Sequence, residues 1–526
     1  MHLKDHDLRQ LDAERLHRLR LDDPEALEGL SVRLLEDLKD ARERLSQNPD
    51  NSSRPPSTRD PWQRNSDEQE VESKIPVEEA ASAEEPAPEV PASAEDEPKE
   101  GKPSARSQRK SPRKPGKQVG APGHARTQTL AIDQIEHHRP ETCGVCQAEL
   151  SGESARCYTG FETVDLVPGE LANPGLQVLN IKHLYYETRC ERCGHVTRQE
   201  PYRAPPQGED WGDVELSEWR LIGPFLAALL SFLHFRLRLS ARHCREFSLE
   251  LFALSLSVGA IQQSFHESAR ACEPVMEQLN EELKREELLY GDETPHKQAG
   301  EPLWLWVALG LTTVIFFIGR RTKETFWGHI GLEFAGWLMA DGYGAYREYK
   351  LRLRCWAHLI RKARALAEGF TPHVQGYGLT LLEILDTLMA GVYQAREGPP
   401  VDLRSSFSAE LARLKALCTK MARSSNEKAR QLGVEFLNDW EAIFRVLEHP
   451  HLPLTNNVAE RILRHWVILR RITHGTRTEQ GSKTLAIMAS VIETCRLRNA
   501  SPLRYLAQTI AARRKGLEVP PIPVAA

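Results

Sequence analysis

At 526 residues the chain is long enough for roughly three or four domains, each with its own core, and its formal net charge is only −5. So mild an average would argue against a nucleic-acid partner, but the charge is segregated: residues 67–100 are rich in Asp and Glu, and residues 102–117 are basic without a single acid. Ten cysteines that include two Cys-x-x-Cys pairs argue against a disulfide framework and for a metal site in a reducing compartment, and a terminus charged from Lys4 onward argues against a secretory signal, so a cytoplasmic protein is expected.

Residues 1–47 are expected to be helical. Leu27, Leu30, Leu34, Leu38, Ala41 and Leu45 recur at intervals of three and four, which gives one apolar face. That face either packs on its own chain or forms a short coiled coil with a second copy. Residues 48–123 are too polar to offset the entropy of ordering them and read as a linker, acidic and then basic. Lys110, Arg113 and Lys114 in its basic end could neutralise DNA phosphates, or could belong to a solvated tail.

Residues 124–208 are expected to bind zinc. Cys143 and Cys146, with Cys190 and Cys193, supply four thiolates in tight turns that suit one tetrahedral ion. Between the pairs, residues 161–167 and 176–187 alternate as strands, and a hairpin would bring the pairs together. Cys157 stands alone and is expected to be a buried apolar residue.

Residues 209–286 read as helices at 216–233, 240–252 and 257–271, with Ser240 and Ser257 as N-caps and Pro274 as a break. A helix-turn-helix fits, and so does a plain helical linker. In the first case Gln262, Gln263, His266 and Arg270 would lie on or near the exposed face of the third helix, where amide and guanidinium groups suit base edges.

From residue 287 the period changes to short apolar or alternating runs at 288–291, 303–309, 314–318, 336–340 and 353–356, with a helix at 323–332. Gly310, Thr312 and Thr313 divide the most apolar stretch, so it reads as two buried strands and not a membrane span. Asp292 falls at or just beyond the end of the first strand, and Asp341 ends the fourth. If those strands are neighbours, the two carboxylates lie side by side, which is costly unless a cation such as Mg²⁺ or Mn²⁺ neutralises them. Either Asp alone could be a turn residue. Glu460 is a third candidate, although with Asn457 it also fits a capping box. Arg461, Arg464 and His465, then Arg470 and Arg471, give its helix a basic side suited to a phosphate backbone.

Seven short motifs occur in order: Gly120-Ala-Pro-Gly-His124, Asp292-Glu-Thr294, Leu303-Trp-Leu-Trp-Val307, Asp341-Gly-Tyr-Gly-Ala-Tyr346, Cys355-Trp-Ala-His358, Asn456-Asn-Val-Ala-Glu-Arg461 and Gly475-Thr-Arg-Thr-Glu-Gln-Gly-Ser482. Each is weak alone, but as a set they make the chain resemble the DDE transposases of the insertion sequence 66 family across residues 115–510. The resemblance implies a multidomain α+β protein with an RNase H-like catalytic core at 287–368 and 454–515, a helical insertion at 369–453 and a tail at 516–526. Ahead of the core it implies a zinc-binding β module and a helix-turn-helix. It implies that Asp292, Asp341 and Glu460 are the catalytic acids and bind Mg²⁺ or Mn²⁺. The implied function is binding of terminal inverted repeats, followed by DNA strand cleavage and strand transfer. Its partners would be transposon-end and target DNA, further copies of the chain and small accessory proteins, with no membrane. Glu293 is read as structural or supporting. His358 either orients a phosphate or is a satisfied structural histidine. Two features depart from the family pattern: the acidic linker matches no motif, and Gln147-Ala148 replaces a glycine often found after the first cysteine pair.

Overall fold

A computed structural model describes residues 13–45, 128–150, 152–169, 175–204, 211–212, 214–331, 333–399 and 402–524. The described residues 13–45 and those from Leu130 onward belong to one compact unit. The whole of the expected linker, with Lys110, Arg113 and Lys114, lies outside the described residues.

Helix α1 (Ala13–Asp22) is followed by α2 (Pro24–Leu45), whose start is capped by the Asp23 carboxylate accepting from the Ala26 N–H. Its apolar face is largely uncovered among the described residues: Leu34, Leu38 and Leu45 are exposed.

Strands β1 (Gln134–His138), β2 (Arg156–Pro168), β3 (Leu176–Arg189) and β4 (Val196–Arg198) form a sheet in which β3 is flanked by β1 and β2. The expected β2–β3 hairpin is present, and antiparallel. The cysteine pairs, however, are joined by β1, which runs parallel to β3 with His138 opposite Tyr185. Cys143 and Cys190 each lie five residues beyond that register pair, so parallel strands deliver both turns to the same end. Cys157 is exposed rather than buried, because a register shift beside it leaves its thiol on the surface, facing the Thr159 carbonyl.

Helices α3 (Pro224–Phe235), α4 (Ala241–Phe252) and α5 (Val258–Lys284) follow. The first starts later than its apolar run implies, since Pro224 fits the first helical turn and Gly223 before it is extended. Gly223 passes so close to Asp165 that an added Cβ would lie 2.2 Å from it, and Asp165 in turn accepts the Leu226 N–H at 2.8 Å. A carboxylate from β2 thus caps the helix. The Ser240 and Ser257 caps form as expected. Pro274 does not break α5: the lost hydrogen bond is outweighed by Val275, Leu279 and Leu283, all buried in the core.

The second sheet has five strands in the order β7-β6-β5-β8-β9. These are β5 (Leu288–Gln298), β6 (Glu301–Leu309), β7 (Val314–Gly319), β8 (Trp337–Ala340) and β9 (Arg352–Arg354), with α6 (Lys323–Ile330) between β7 and β8. Strands β5, β6 and β7 are antiparallel neighbours, whereas β8 and β9 run parallel to β5. The apolar stretch forms buried strands, and no described helix is long and apolar enough to cross a membrane.

Beyond β9, helices α7 (Trp356–Ala367), α8 (Pro372–Glu397), α9 (Leu403–Ser406), α10 (Ser408–Met421), α11 (Glu427–Asn438) and α12 (Trp440–Phe444) share their own apolar core. An ion cluster joins this core to the sheet. Buried Arg354 lies against Asp439 at 3.2 Å and also pairs with Glu435, and Arg352 reaches Asp439 at 2.7 Å.

Helices α13 (Asn457–Thr473), α14 (Glu479–Leu497) and α15 (Pro502–Arg514) close the fold. β7 is a sheet edge whose unpaired backbone groups need partners. On α14, Ser490 accepts the Phe316 N–H at 2.8 Å, and Thr494 accepts the Val314 N–H and donates to its carbonyl. Trp466 of α13 packs against Phe316.

Candidate active site

Register sets the first two acids. Tyr290 on β5 pairs with Met339 on β8, and two residues further along each chain come Asp292 and Asp341. Asp292 is inside a strand longer than expected, still paired with Val307 on the β6 side, but its pairing with β8 has ended. Asp341 directly follows β8, as expected, and its carboxylate accepts the Tyr343 N–H at 2.8 Å.

Glu460 comes from the first turn of α13. The capping-box alternative does not form: the N-cap is Asn456, which makes no side-chain cap bond. Instead the Asn456 amide donates to the Gly291 carbonyl at 2.9 Å and its backbone N–H to the Cys355 sulfur at 3.2 Å. The first bond ties the start of α13 to the strand that carries Asp292, and the second ties it to the residue that joins β9 to α7.

The three acids share one electrostatic environment. Burial, reinforced by the charges of Glu293, Asp341 and Glu460, raises Asp292 well above the usual carboxylate range. Glu293 is also raised, chiefly by burial, but it has partners: Arg321 at 2.8 Å and the Tyr346 hydroxyl, which donates at 2.7 Å. Glu460 lies 3.7 Å from His358 and 3.5 Å from Arg361, and its buried Oε1 has no hydrogen-bond partner. His358 is not a satisfied histidine, since its buried Nδ1 also lacks a partner; burial lowers its pKa, with Glu460 opposing. Glu460 also has ligand-type neighbours, since its carboxylate, His358 and the Cys355 sulfur lie within 4.8 Å of one another, and an orphaned carboxylate oxygen is a donor that suits a cation.

Sequence reading missed Arg321 and Arg361, and it placed Tyr346 and Asn456 in motifs without giving them a role. Arg361 had a local signal, one helical turn after His358 on α7. The Gly475–Ser482 motif acquires a structural reason: Thr476 pairs with the far end of β5, and a Cβ on Gly475 would sit 2.2 Å from the Lys297 carbonyl. Arg470 donates to Thr294 at 3.0 Å, which anchors α13 to the same strand.

The four thiols converge with all sulfurs within 4.8 Å of one another. The Cys143–Cys193 and Cys146–Cys190 sulfurs are each 3.5 Å apart, close to the roughly 3.8 Å edges of a tetrahedral zinc–thiolate site. Backbone N–H groups of Cys146 and Val145 lower Cys143 to about 6, which favours the thiolate that binds metal.

The expected DNA-contact residues separate. Arg461 and Arg464 are exposed on α13, Gln262 is exposed on α5 and Gln263 is half-buried. Arg270 is not on an exposed face: it is buried, and its guanidinium donates to the Val214 carbonyl, because this turn of α5 faces the core. His266 is half-buried against Thr484, and His465 is buried, its Nε2 at 2.8 Å from the Phe235 carbonyl.

A family model described as Transposase IS66 family matches residues 220–484, about half of the chain, a span that contains all three acids. Uncharacterized protein y4qI of Sinorhizobium fredii is 27% identical over 198 residues, which is 35% of this chain and 37% of that protein. Uncharacterized protein y4jO of the same organism is 26% identical over 183 residues, 34% of this chain and 55% of that protein. The match therefore spans from just over a third to just over half of these relatives.

Proposed function

The chain belongs to the IS66 transposase family, and from that premise we propose that it binds the terminal inverted repeats of an insertion sequence and catalyses metal-dependent DNA strand cleavage and strand transfer. The observations that support this reading are the negative charges of Asp341 and Glu460 felt by buried Asp292, and the buried Glu460 Oε1 that has no hydrogen-bond partner. An RNase H-like core is supported by the sheet order, three antiparallel strands continued by two parallel ones.

Asp292 and Asp341 would hold the Mg²⁺ or Mn²⁺ ions between them, and Glu460 would complete one coordination shell. Bound there, such ions activate the attacking oxygen and stabilise the leaving oxygen of a phosphodiester. The chain's own part is orientation. Asn456 holds α13 against β5, Tyr343 fixes the Asp341 carboxylate, and Arg361 limits the swing of Glu460. Arg321 and Tyr346 keep Glu293 engaged, so it does not compete for the ions.

DNA would be gripped by the backbone-facing Arg461 and Arg464, by Gln262 and Gln263 at base edges and by the basic arm of Lys110, Arg113 and Lys114. Cys143, Cys146, Cys190 and Cys193 would hold a structural zinc. The working form would be a homo-oligomer on transposon-end and target DNA in the bacterial cytoplasm, with small accessory proteins of the same element as further partners.

Nicking of a DNA that carries the element's ends, with and without Mg²⁺, tests the reading. Asp292→Asn, Asp341→Asn and Glu460→Gln should each lower the rate by about 10²-fold or more while DNA binding persists. Unchanged nicking in all three variants would refute the assignment. Binding without any Mg²⁺-dependent nicking by the wild type would favour a DNA-binding regulator instead.

A further inference from the structure

The sheet that carries the cysteine turns has a second cluster of ligand-type side chains. Glu136 on β1 lies directly opposite His183 on β3, and His138 follows two residues later on the same face of β1. The three donor atoms converge on one point. Glu136 Oε2 is 3.2 Å from His183 Nδ1 and 3.8 Å from His138 Nε2, and the two nitrogens are 3.1 Å apart.

Without a metal, one proton on His183 Nδ1 can be shared between Glu136 Oε2 and an unprotonated His138 Nε2. With the neutral imidazoles turned as acceptors, the same three atoms, all within 4.8 Å of one another, can instead surround one cation. A tetrahedral ion with ~2.0 to 2.1 Å bonds to nitrogen and oxygen places its ligand atoms roughly 3.3 Å apart, within the spread seen here.

We propose that Glu136, His138 and His183 form a second metal site, distinct from the thiolate cluster, which takes a divalent first-row transition ion such as Zn²⁺. The donor set, two imidazoles and one carboxylate, matches a borderline ion better than Mg²⁺ or Ca²⁺. The supporting groups are already in place. Gln134 donates to the other Glu136 oxygen at 3.3 Å, and the Tyr185 ring stacks on His138 at 4.3 Å. Tyr185 is itself held by its hydroxyl, which donates to Glu218 at 2.8 Å, and Phe161 stacks on His183 at 5.0 Å. Burial among these rings lowers the His183 pKa, which favours the neutral imidazole that ligates. The Glu136, His138 and His183 side chains remain 39%, 28% and 16% exposed, so the site is open to solvent and has room for a fourth ligand. Bound metal would clamp β1 to β3 along the strands that also position Cys143 and Cys190.

The test is cobalt loading of the metal-stripped, full-length chain, followed by absorption spectroscopy and metal analysis. Cobalt in a thiolate site gives an intense near-ultraviolet charge-transfer band, whereas cobalt in a site of two imidazoles and a carboxylate gives only weaker visible bands. With the carboxylate site removed by Asp292→Asn and Asp341→Asn, the background used for every variant below, the chain should take up two equivalents. His138→Ala and His183→Ala should each lose one equivalent and keep the charge-transfer band. Cys143→Ser with Cys190→Ser should lose that band and keep the other equivalent. Glu136→Gln, at a half-exposed position that folding tolerates, should weaken the second equivalent about 10- to 100-fold and decides the matter if a histidine variant misfolds. Uptake of a single equivalent by that background chain, or a second equivalent that Glu136→Gln leaves unchanged, would overturn the proposal. Neither result depends on DNA cleavage, so the site stands or falls apart from the transposase reading.

Discussion

The thiolate cluster and the carboxylate cluster are assembled in opposite ways. Each cysteine pair is local, two sulfurs on one tight turn, and the fold has only to bring two turns together, which the parallel β1–β3 register does. The acids come one at a time from β5, from the end of β8 and from α13, and each is aimed by a separate device: strand register, the Tyr343 N–H and the Asn456 bridge. The first cluster is robust because its geometry is built into short segments. The second depends on how the sheet, the inserted helices and α13 are held together.

That contrast can be broken at several points, the largest being the joint between sheet and insertion. Arg354→Met removes one partner of buried Asp439 and of Glu435, which keep Arg352 and Lys362, and should cost about 2 to 3 kcal/mol in denaturant unfolding. It should leave zinc content unchanged. Loss of zinc in this variant would show that the two clusters are not independent.

Smaller in free energy is the reverse experiment at the carboxylates. Burial and like charges raise the Asp292 pKa, so the ionised form is stabilised less in the folded chain than in the unfolded one. Asp292→Asn should therefore raise the stability of metal-free protein at neutral pH, by about 1 kcal/mol, as expected when a strained functional group is removed. Calorimetry in the presence of a chelator measures this, and a lower melting temperature would mean that the carboxylate is structural.

A pH effect of similar size arises at the joint between α13 and the helices before the sheet. His465 is lowered to about 4, chiefly by burial, with Arg238 and Arg236 against its ring. Its folded pKa lies below its unfolded value near 6.5. The stability it contributes is thus present above about pH 6.5 and is lost as pH falls toward 4. His296, also lowered to about 4 by burial, acts in the same direction. His465→Gln should flatten the acid limb of a stability-versus-pH curve, and an unchanged limb would remove His465 as a cause.

The smallest effect concerns DNA. Arg461→Ala and Arg464→Ala should each reduce the slope of log affinity against log salt by about 1, without altering sequence preference. Salt titration of binding to the element's ends and to unrelated DNA checks this. A change confined to the specific DNA would place these side chains at base edges.

Much of this was legible in the residues. The change of period near residue 287 marked the second sheet, the serines before α4 and α5 marked their caps, and paired cysteines marked a metal-type cluster. Helix extent was not legible at Pro274, because packing of Val275, Leu279 and Leu283 overrides a local break. Nor was exposure along α5: Arg270 follows the helical spacing of a surface residue, but Val214 from a distant loop covers it. The Asn457–Glu460 spacing fitted a cap, and only the approach of His358, Arg361 and Gly291 to the start of α13 removed that alternative.

The sequence by itself determined which residue types could bind metal, where the strands and most helices form and which ordered motifs mark the family. These depend on local propensity, periodicity and spacing, all carried by neighbouring residues. Tertiary structure alone decided that β5 and β8 lie side by side, that Glu460 faces His358 and Arg361 and that Glu136 faces two histidines. Those facts depend on contacts between segments far apart in the chain, whose register is set by packing and not by any single segment.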